Sequence, residues 1–83
     1  MNIYKISQNV NDNYDTYDSA IVIANNEEEA RKIHPSSNLH ENVSDWYWET
    51  TWTNPHNVIV EWICEYNGKY QSGTVLCSSF NAG

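Results

Sequence analysis

The sequence predicts a small α+β fold, in which an antiparallel or mixed sheet of about four strands carries one short helix on one face. Apolar runs rich in β-branched residues lie in both halves of the chain and favour strands. A capped and strongly charged helical segment separates the two halves. At 83 residues the chain forms a single domain, residues 1–83, and a sheet with a helix packed across it buries the apolar faces of both elements.

Two strands are predicted in the first half of the chain. Residues 3–10 place Tyr4 and Ile6 on one face and polar residues on the other, which is typical of a half-buried strand. Residues 19–24 end in a continuous apolar run, which predicts a strand that is buried on both faces.

The clearest local signal is the start of a helix at Asn26. This residue can cap the helix, and Glu29 stands three residues later, as in a capping box. The acidic residues 27–29 lie at the positive end of the helix dipole, and Pro35 ends the helix. The predicted order of elements is therefore β-β-α-β-β.

Two further strands are predicted at residues 57–66 and 74–80. Asn67-Gly68 between them is typical of a two-residue hairpin turn, which would pair these strands directly. In that register Cys64 and Cys77 lie roughly 20 Å apart, and a disulfide needs Cα atoms within about 7 Å. We expect both cysteines to be free thiols that fill the core as small apolar residues.

The segment 45–52 contains three of the four tryptophans, and its secondary structure stays open. In a strand Trp46, Trp48 and Trp52 share a face, whereas in a helix only Trp48 and Trp52 do. Acidic residues flank this segment, so we expect it to be partly exposed. Trp62 lies in the predicted strand 57–66, and we expect it to be in the core.

Charge and aromatic content together indicate a protein that binds another protein. Eleven Asp and Glu against four Lys and Arg give a net charge of -7, and the chain holds four Trp and six Tyr. Acidic surfaces repel nucleic acid and anionic membranes, whereas aromatic side chains anchor protein interfaces. We therefore expect a protein partner with a basic surface and no direct contact with nucleic acid or membrane.

The candidate interface is an acidic loop that follows the first predicted strand. Asp12, Asp15 and Asp18 recur at every third position and could receive Arg and Lys side chains from the partner. Aromatic residues would supply the buried anchors, and these are Tyr14 and Tyr17 in the loop and, as a second choice, Trp46 and Trp48.

No catalytic, metal-binding or phosphate-binding motif is present in the sequence. His34, His40 and His56 match no compact ligand spacing, and the glycines form no phosphate loop. We therefore expect a non-enzymatic protein with no catalytic residue, metal or cofactor. The chain has no apolar run near the roughly 20 residues that span a bilayer and no signal-peptide pattern, so we expect it in the cytoplasm.

Four segments of the sequence are distinctive, namely residues 14–24 (YDTYDSAIVIA), residues 27–31 (EEEAR), His34-Pro35 and residues 79–83 (SFNAG). These segments resemble small proteins of phages and prophages. The resemblance covers roughly the first half of the chain and the last strand, and residues 36–54 match nothing. The group is largely uncharacterised, so the resemblance implies a bacterial host cell as the setting and carries over no site residue. Small acidic phage proteins often block a host protein, so it implies an inhibitor of a host defence complex (anti-CRISPR-like) or of a nucleic-acid-handling protein.

Two alternatives from other functional classes stay open. In the first, Trp46, Trp48 and Trp52 stack on a sugar or a nucleobase, and the protein is a small-ligand-binding module. In the second, the aromatic residues are buried in a homo-oligomer, and the protein is a structural or assembly component. The sequence does not predict the oligomeric state.

Overall fold

The computed structural model describes residues 1–12, 15–36 and 45–81, without the side chains of residues 45–47 and 81. One sheet contains four antiparallel strands, namely β1 (Asn2–Ser7), β2 (Thr16–Ala24), β3 (Ile59–Glu65) and β4 (Val75–Asn81). Between β2 and β3 the chain forms the helices α1 (Glu27–Arg31) and α2 (Asp45–Thr51), followed by a 3₁₀ turn at Pro55–Asn57.

The predicted α+β class is confirmed, since a four-stranded sheet carries a short helix packed on it. The predicted order β-β-α-β-β is incomplete, because the tryptophan-rich segment forms a second helix, α2. In this conformation Trp48 and Trp52 lie one helical turn apart, and the Trp52 N–H donates to the Trp48 carbonyl oxygen at 3.0 Å. Both rings therefore reach the same side of α2, which is the side that faces the core.

The strands are arranged in the order β3-β1-β2-β4, so β3 and β4 lie at opposite edges of the sheet. The predicted hairpin at Asn67-Gly68 is therefore wrong. The chain instead passes to the far side of β2, where the Ile23 N–H donates to Thr74 O at 2.9 Å and the Gly73 N–H donates to Ile23 O at 2.7 Å. This route lets β4 pair with the second edge of the buried strand β2, whose backbone groups need partners.

The predicted start of α1 is confirmed at Asn26. Its side-chain Oδ1 accepts a hydrogen bond from the Glu29 N–H at 2.9 Å. At the other end of the helix, the Arg31 guanidinium donates to the carbonyl oxygens of Pro55 and Val58 at 3.4 and 2.5 Å. These bonds hold the short helix against the segment that leads into β3.

The core lies between the sheet and the two helices. Tyr4 pairs with Val22 and Ile6 pairs with Ala20, and paired residues in a sheet share a face. These side chains define the helix-covered face, because they pack in one cluster with residues of the helical region, which are Ala30, Ile33, Trp48 and Trp52. On β2 the other face is also covered at Ile23, which is 0% exposed.

Candidate protein-binding surface

The face of the sheet that points away from the helices carries apolar side chains from all four strands. Its composition follows from the pairing register, because it holds the residues that alternate with the helix-covered set. We call this surface the open face. Its three cross-strand rows are Cys64, Ile3 and Ile23, then Glu61, Lys5, Ile21 and Cys77, then Ile59, Ser7, Ser19 and Ser79.

Much of the open face is accessible. Ile59 is 44% exposed, Cys64 and Cys77 are exposed, Ile3 and Ile21 are partly buried, and Ile23 is fully buried. An antiparallel sheet with one solvated face usually presents polar side chains there. Accessible apolar side chains interspersed with charged and polar ones, as on this face, are typical of a protein-binding surface.

The cysteines belong to this surface and not to the core, so the core prediction for them is wrong. A β-bulge opposite the step from Ile3 to Tyr4 inserts one extra residue in β3, which moves Cys64 to the open face. Both thiols are free, as expected. They lie on the two edge strands, which three strand spacings of together about 14 Å separate, and in different cross-strand rows. The cysteines are therefore more than about 14 Å apart, which is too far for a disulfide within the chain.

The open face also carries one pair of opposite charges. Lys5 on β1 lies directly across from Glu61 on β3, and both side chains are exposed. Charges in fixed positions beside apolar residues set the orientation in which a partner can dock.

Asp12 and Asp15 of the predicted acidic loop lie in the connection between β1 and β2. Tyr17 and Asp18 lie within β2, which begins at Thr16, so the prediction of a loop at these two residues is wrong. Asp12, Asp15 and Asp18 are exposed, and Asp15 adopts a left-handed backbone conformation with φ 61°, which aspartate tolerates. Tyr17 is only partly exposed, because its ring packs edge-on against Phe80 at 4.7 Å and His34 at 5.6 Å. Of the predicted loop residues, the aspartates are accessible, Tyr17 is largely committed to packing, and Tyr14 lies outside the described residues.

The tryptophans are distributed differently from the prediction. Trp48 and Trp52 are 2% and 0% exposed, whereas Trp62, expected in the core, is 60% exposed. Trp62 stands on the edge strand β3, where its indole N–H donates to Asn2 Oδ1 at 3.0 Å. The expectation that Trp48 is an accessible anchor is therefore wrong, because the folded core encloses its ring. The side chain of Trp46 lies outside the described part of the structure.

His34 is a buried polar residue within this aromatic packing. Its Nδ1 accepts a hydrogen bond from the Ser36 N–H at 3.1 Å, so Nε2 carries the proton and donates to Thr51 Oγ1 at 2.9 Å. The ring also packs edge-on against Trp48 at 5.1 Å. Burial lowers the pKa of His34 from 6.5 to about 4, so the imidazole is neutral near pH 7. Its role is to join residues 34–36 to α2.

Within the described residues, no three His, Cys, Asp or Glu side chains come together in a way that would hold a metal ion. In the same part of the chain, no helix has the length and apolar character needed to cross a membrane. No family model, curated protein or solved structure matches the chain. The resemblance to phage proteins stays a prediction.

The open face was not predicted from the sequence, although the apolar pattern of two segments indicates it. Residues 20–24, and residues 58–64 apart from Glu61, are apolar at both odd and even positions, which indicates strands with two apolar faces. Short helical segments can cover only one of these faces, so the second face must meet solvent or another molecule.

Proposed function

We propose that the protein is a non-enzymatic phage or prophage accessory protein that binds a bacterial host protein through its open face. The observation that carries this proposal is the accessibility of apolar side chains on the side of the sheet that faces away from the described helices, with Ile59 44% exposed. Apolar area of this kind gains free energy on burial, at about 25 cal/mol per Å². Lys5 and Glu61 lie within this surface, and such charges favour a partner that docks in one orientation over non-specific association.

The charge of the chain supports a basic partner. A net charge of -7 attracts a surface rich in Lys and Arg and raises the rate of association with it. A groove that binds nucleic acid is such a surface, which is why the best-supported partner class is a host defence or nucleic-acid-handling protein. The exposed acidic loop steers this encounter, and the open face supplies the buried contact.

The first test combines affinity capture with a substitution on the open face. The tagged protein is expressed in a bacterial host, and co-purifying proteins are identified with and without nuclease. We expect a stoichiometric host protein that nuclease does not remove. Affinity for this protein should fall roughly 10-fold or more in Ile59→Ser/Cys77→Ser, since losing two buried apolar groups costs about 1.4 kcal/mol or more.

The matched control is Tyr70→Ser, which removes a side chain that is 50% exposed in the connection between β3 and β4. This variant should bind within about two-fold of the natural chain, because surface substitutions away from an interface change energies by about 0.5 kcal/mol or less. Equal loss of binding in both variants would refute the open face as the interface.

A second variant tests whether the acidic loop speeds association with the partner without being part of the contact surface. Asp12→Asn/Asp15→Asn/Asp18→Asn should slow association and flatten its dependence on salt, with little change in the dissociation rate. Unchanged association would remove the acidic loop from the proposal. A large rise in the dissociation rate would place these aspartates inside the interface.

A second copy of the chain is the alternative occupant of the open face, as in a structural or assembly protein. Two copies that each carry a charge of -7 repel one another, which favours a basic partner. Light scattering distinguishes a host protein from a second copy of the chain as the occupant, because a stable monomer at high concentration would exclude the homo-oligomer. The alternative of ligand stacking on tryptophans is disfavoured by the burial of Trp48 and Trp52.

A further inference from the structure

The strand β3 forms one edge of the sheet, because among the described strands only β1 pairs with it. All of its residues except Val60 are exposed, and these include Trp62 at 60% and Ile63 at 46%. Large apolar side chains on an edge strand leave that edge open to pairing with a strand of another molecule. The outer edge of β3 is therefore a surface on which such a strand could add.

The backbone of β3 presents hydrogen-bonding groups along this edge. The Tyr66 N–H donates to Met1 O at 2.9 Å, so the N–H and C=O groups of the preceding residue, Glu65, point away from β1. The direction of these groups alternates along β1 without a break, because the extra residue of the bulge lies in β3. The pairing register then turns the backbone groups of Val60 and Trp62 outward as well. Within the described part of the chain, no residue bonds the outward groups of these three residues.

Carboxylates lie beside this edge on both faces of the sheet. Glu61 lies opposite Lys5 on the open face, whereas Glu65 lies opposite the uncharged Asn2 on the helix-covered face, and both carboxylates are exposed. A strand added to β3 would lie next to both of them, and Lys or Arg at those positions would make favourable cross-strand pairs. The other edge strand, β4, contains no charged residue.

Trp62 provides an aromatic anchor beside the outward backbone groups. Its indole N–H donates to Asn2 Oδ1 at 3.0 Å, and Asn2 Nδ2 donates to Asn25 O at 3.3 Å. These bonds restrict the orientation of the ring, although much of it is exposed. A ring that is already held in position loses little conformational entropy on binding, and its face attracts a cationic side chain.

A second copy of the chain fits this edge poorly. In a two-fold antiparallel pair of β3 strands centred on Ile63, Glu61 of each copy would lie opposite Glu65 of the other. Like charges at opposite positions destabilise a sheet, and the net charge of -7 on each copy adds to the repulsion. The same carboxylates favour a strand that carries Lys or Arg.

We propose that the outer edge of β3 binds an extended, basic segment of another protein, which pairs with β3 as an additional strand. Hydrogen bonds to the outward backbone groups supply the affinity, and basic side chains beside Glu61 and Glu65 supply the selectivity. The outer edge of β3 is a different surface from the open face, so this inference does not depend on the proposed function.

The test uses the full ¹⁵N-labelled chain at about 0.15 M salt and the peptide acetyl-Lys-Thr-Val-Lys-Val-Thr-Lys-amide, followed by NMR. We expect saturable amide shifts at Val60, Trp62 and Glu65, and no such shifts along β4. The same peptide with Glu in place of Lys should give no saturable shifts.

Two further peptides test for backbone pairing. They keep the lysine sequence and carry N-methyl groups on either the odd or the even residues. Alternate residues of a strand turn their N–H groups to the same side, so one of these peptides should lose binding and the other should keep it.

Two charge variants locate the site. Glu61→Gln/Glu65→Gln should weaken the lysine peptide about 5-fold, because two favourable cross-strand charge pairs are lost. Asp15→Asn/Asp18→Asn removes the same charge at the start of β2, which β1 separates from β3, and should change the affinity less than about two-fold.

Four results would each overturn the inference. These are absence of saturable shifts at the edge of β3, equal affinity for the Lys and Glu peptides, equal binding of the two N-methylated peptides, and an unchanged affinity in Glu61→Gln/Glu65→Gln. None of them bears on the open face, which is judged on the captured partner.

Discussion

Lowering the pH from 7 to 5 is expected to destabilise the fold through His34. The folded protein holds this imidazole neutral, because burial lowers its pKa from 6.5 to about 4. In the unfolded chain the same group has its ordinary pKa of about 6.5. Between these two pKa values the unfolded state binds a proton that the folded state does not. The free energy of unfolding therefore falls as the pH falls through this window.

The size of the effect follows from the two pKa values. At pH 7 the group is nearly neutral in both states, so it contributes little to the pH dependence. At pH 5 the unfolded chain is almost fully protonated at this position and the folded chain is not, which removes about 2 kcal/mol of stability. For a domain of this size, a loss of about 2 kcal/mol lowers the melting temperature by roughly 10 °C.

The assay is urea unfolding followed by tryptophan fluorescence at pH 5, 6 and 7. His34→Gln removes the titrating group but keeps a donor for Thr51, so its stability should fall about 2 kcal/mol less between pH 7 and 5 than that of the natural chain. His56→Gln, at an exposed position of the 3₁₀ turn, is the matched control and should keep the full pH dependence.

Equal pH dependence in the natural chain and in His34→Gln would refute this role of His34. If His34→Gln does not fold, the ring of His34 is titrated directly by NMR in the natural chain. A pKa near 4 supports the burial of a neutral imidazole, and a pKa near 6.5 contradicts it.

Three further substitutions test the packing. Trp48→Ala should cost about 3–5 kcal/mol in urea unfolding, whereas Trp62→Ala should cost about 1 kcal/mol or less, and equal losses would contradict the assignment of core and surface. Asn26→Ala should cost about 1 kcal/mol through loss of the helix cap, with the exposed Asn67→Ala as a neutral control. Gly68→Ala should cost about 1 kcal/mol or less, because the added Cβ overlaps the far end of the Tyr66 side chain, which can move aside, and the loss should disappear in a Tyr66→Ala background.

Elements with local determinants could be predicted from the sequence. The start of α1 depends on Asn26 and the residues directly after it, and β1 and β2 are marked by their own apolar patterns. These signals need no knowledge of the rest of the fold. The α+β class follows from the same three elements.

The sheet order depends on contacts that no local pattern encodes. Asn67-Gly68 favours a tight turn, but the pairing of β4 with β2 places β4 at the opposite edge of the sheet from β3. The many backbone hydrogen bonds and side-chain contacts of that pairing outweigh one turn preference. Local turn chemistry therefore gave the wrong strand partner.

The wrong predictions that Trp62 and Cys64 on β3 lie in the core also arise because no local pattern encodes the contacts of this strand. Alternation places Trp62 and Cys64 on one face, but the bulge shifts the register between them. Burial then depends on how far the helices extend over the sheet, and Trp62 remains 60% exposed. The exposure of the aspartates was predictable from their charge, whereas the open face required the strand order.

Alkylation of the two thiols in a complex with the captured partner tests the central claim most directly. Cys64 and Cys77 stand at the two edges of the open face, both are exposed, and both are free. Mass spectrometry follows their reaction with a maleimide, first in the free protein and then in the complex. If the open face is the interface, both thiols react readily in the free monomer and both are protected in the complex. Unchanged reaction rates of both thiols in a stoichiometric complex would contradict it.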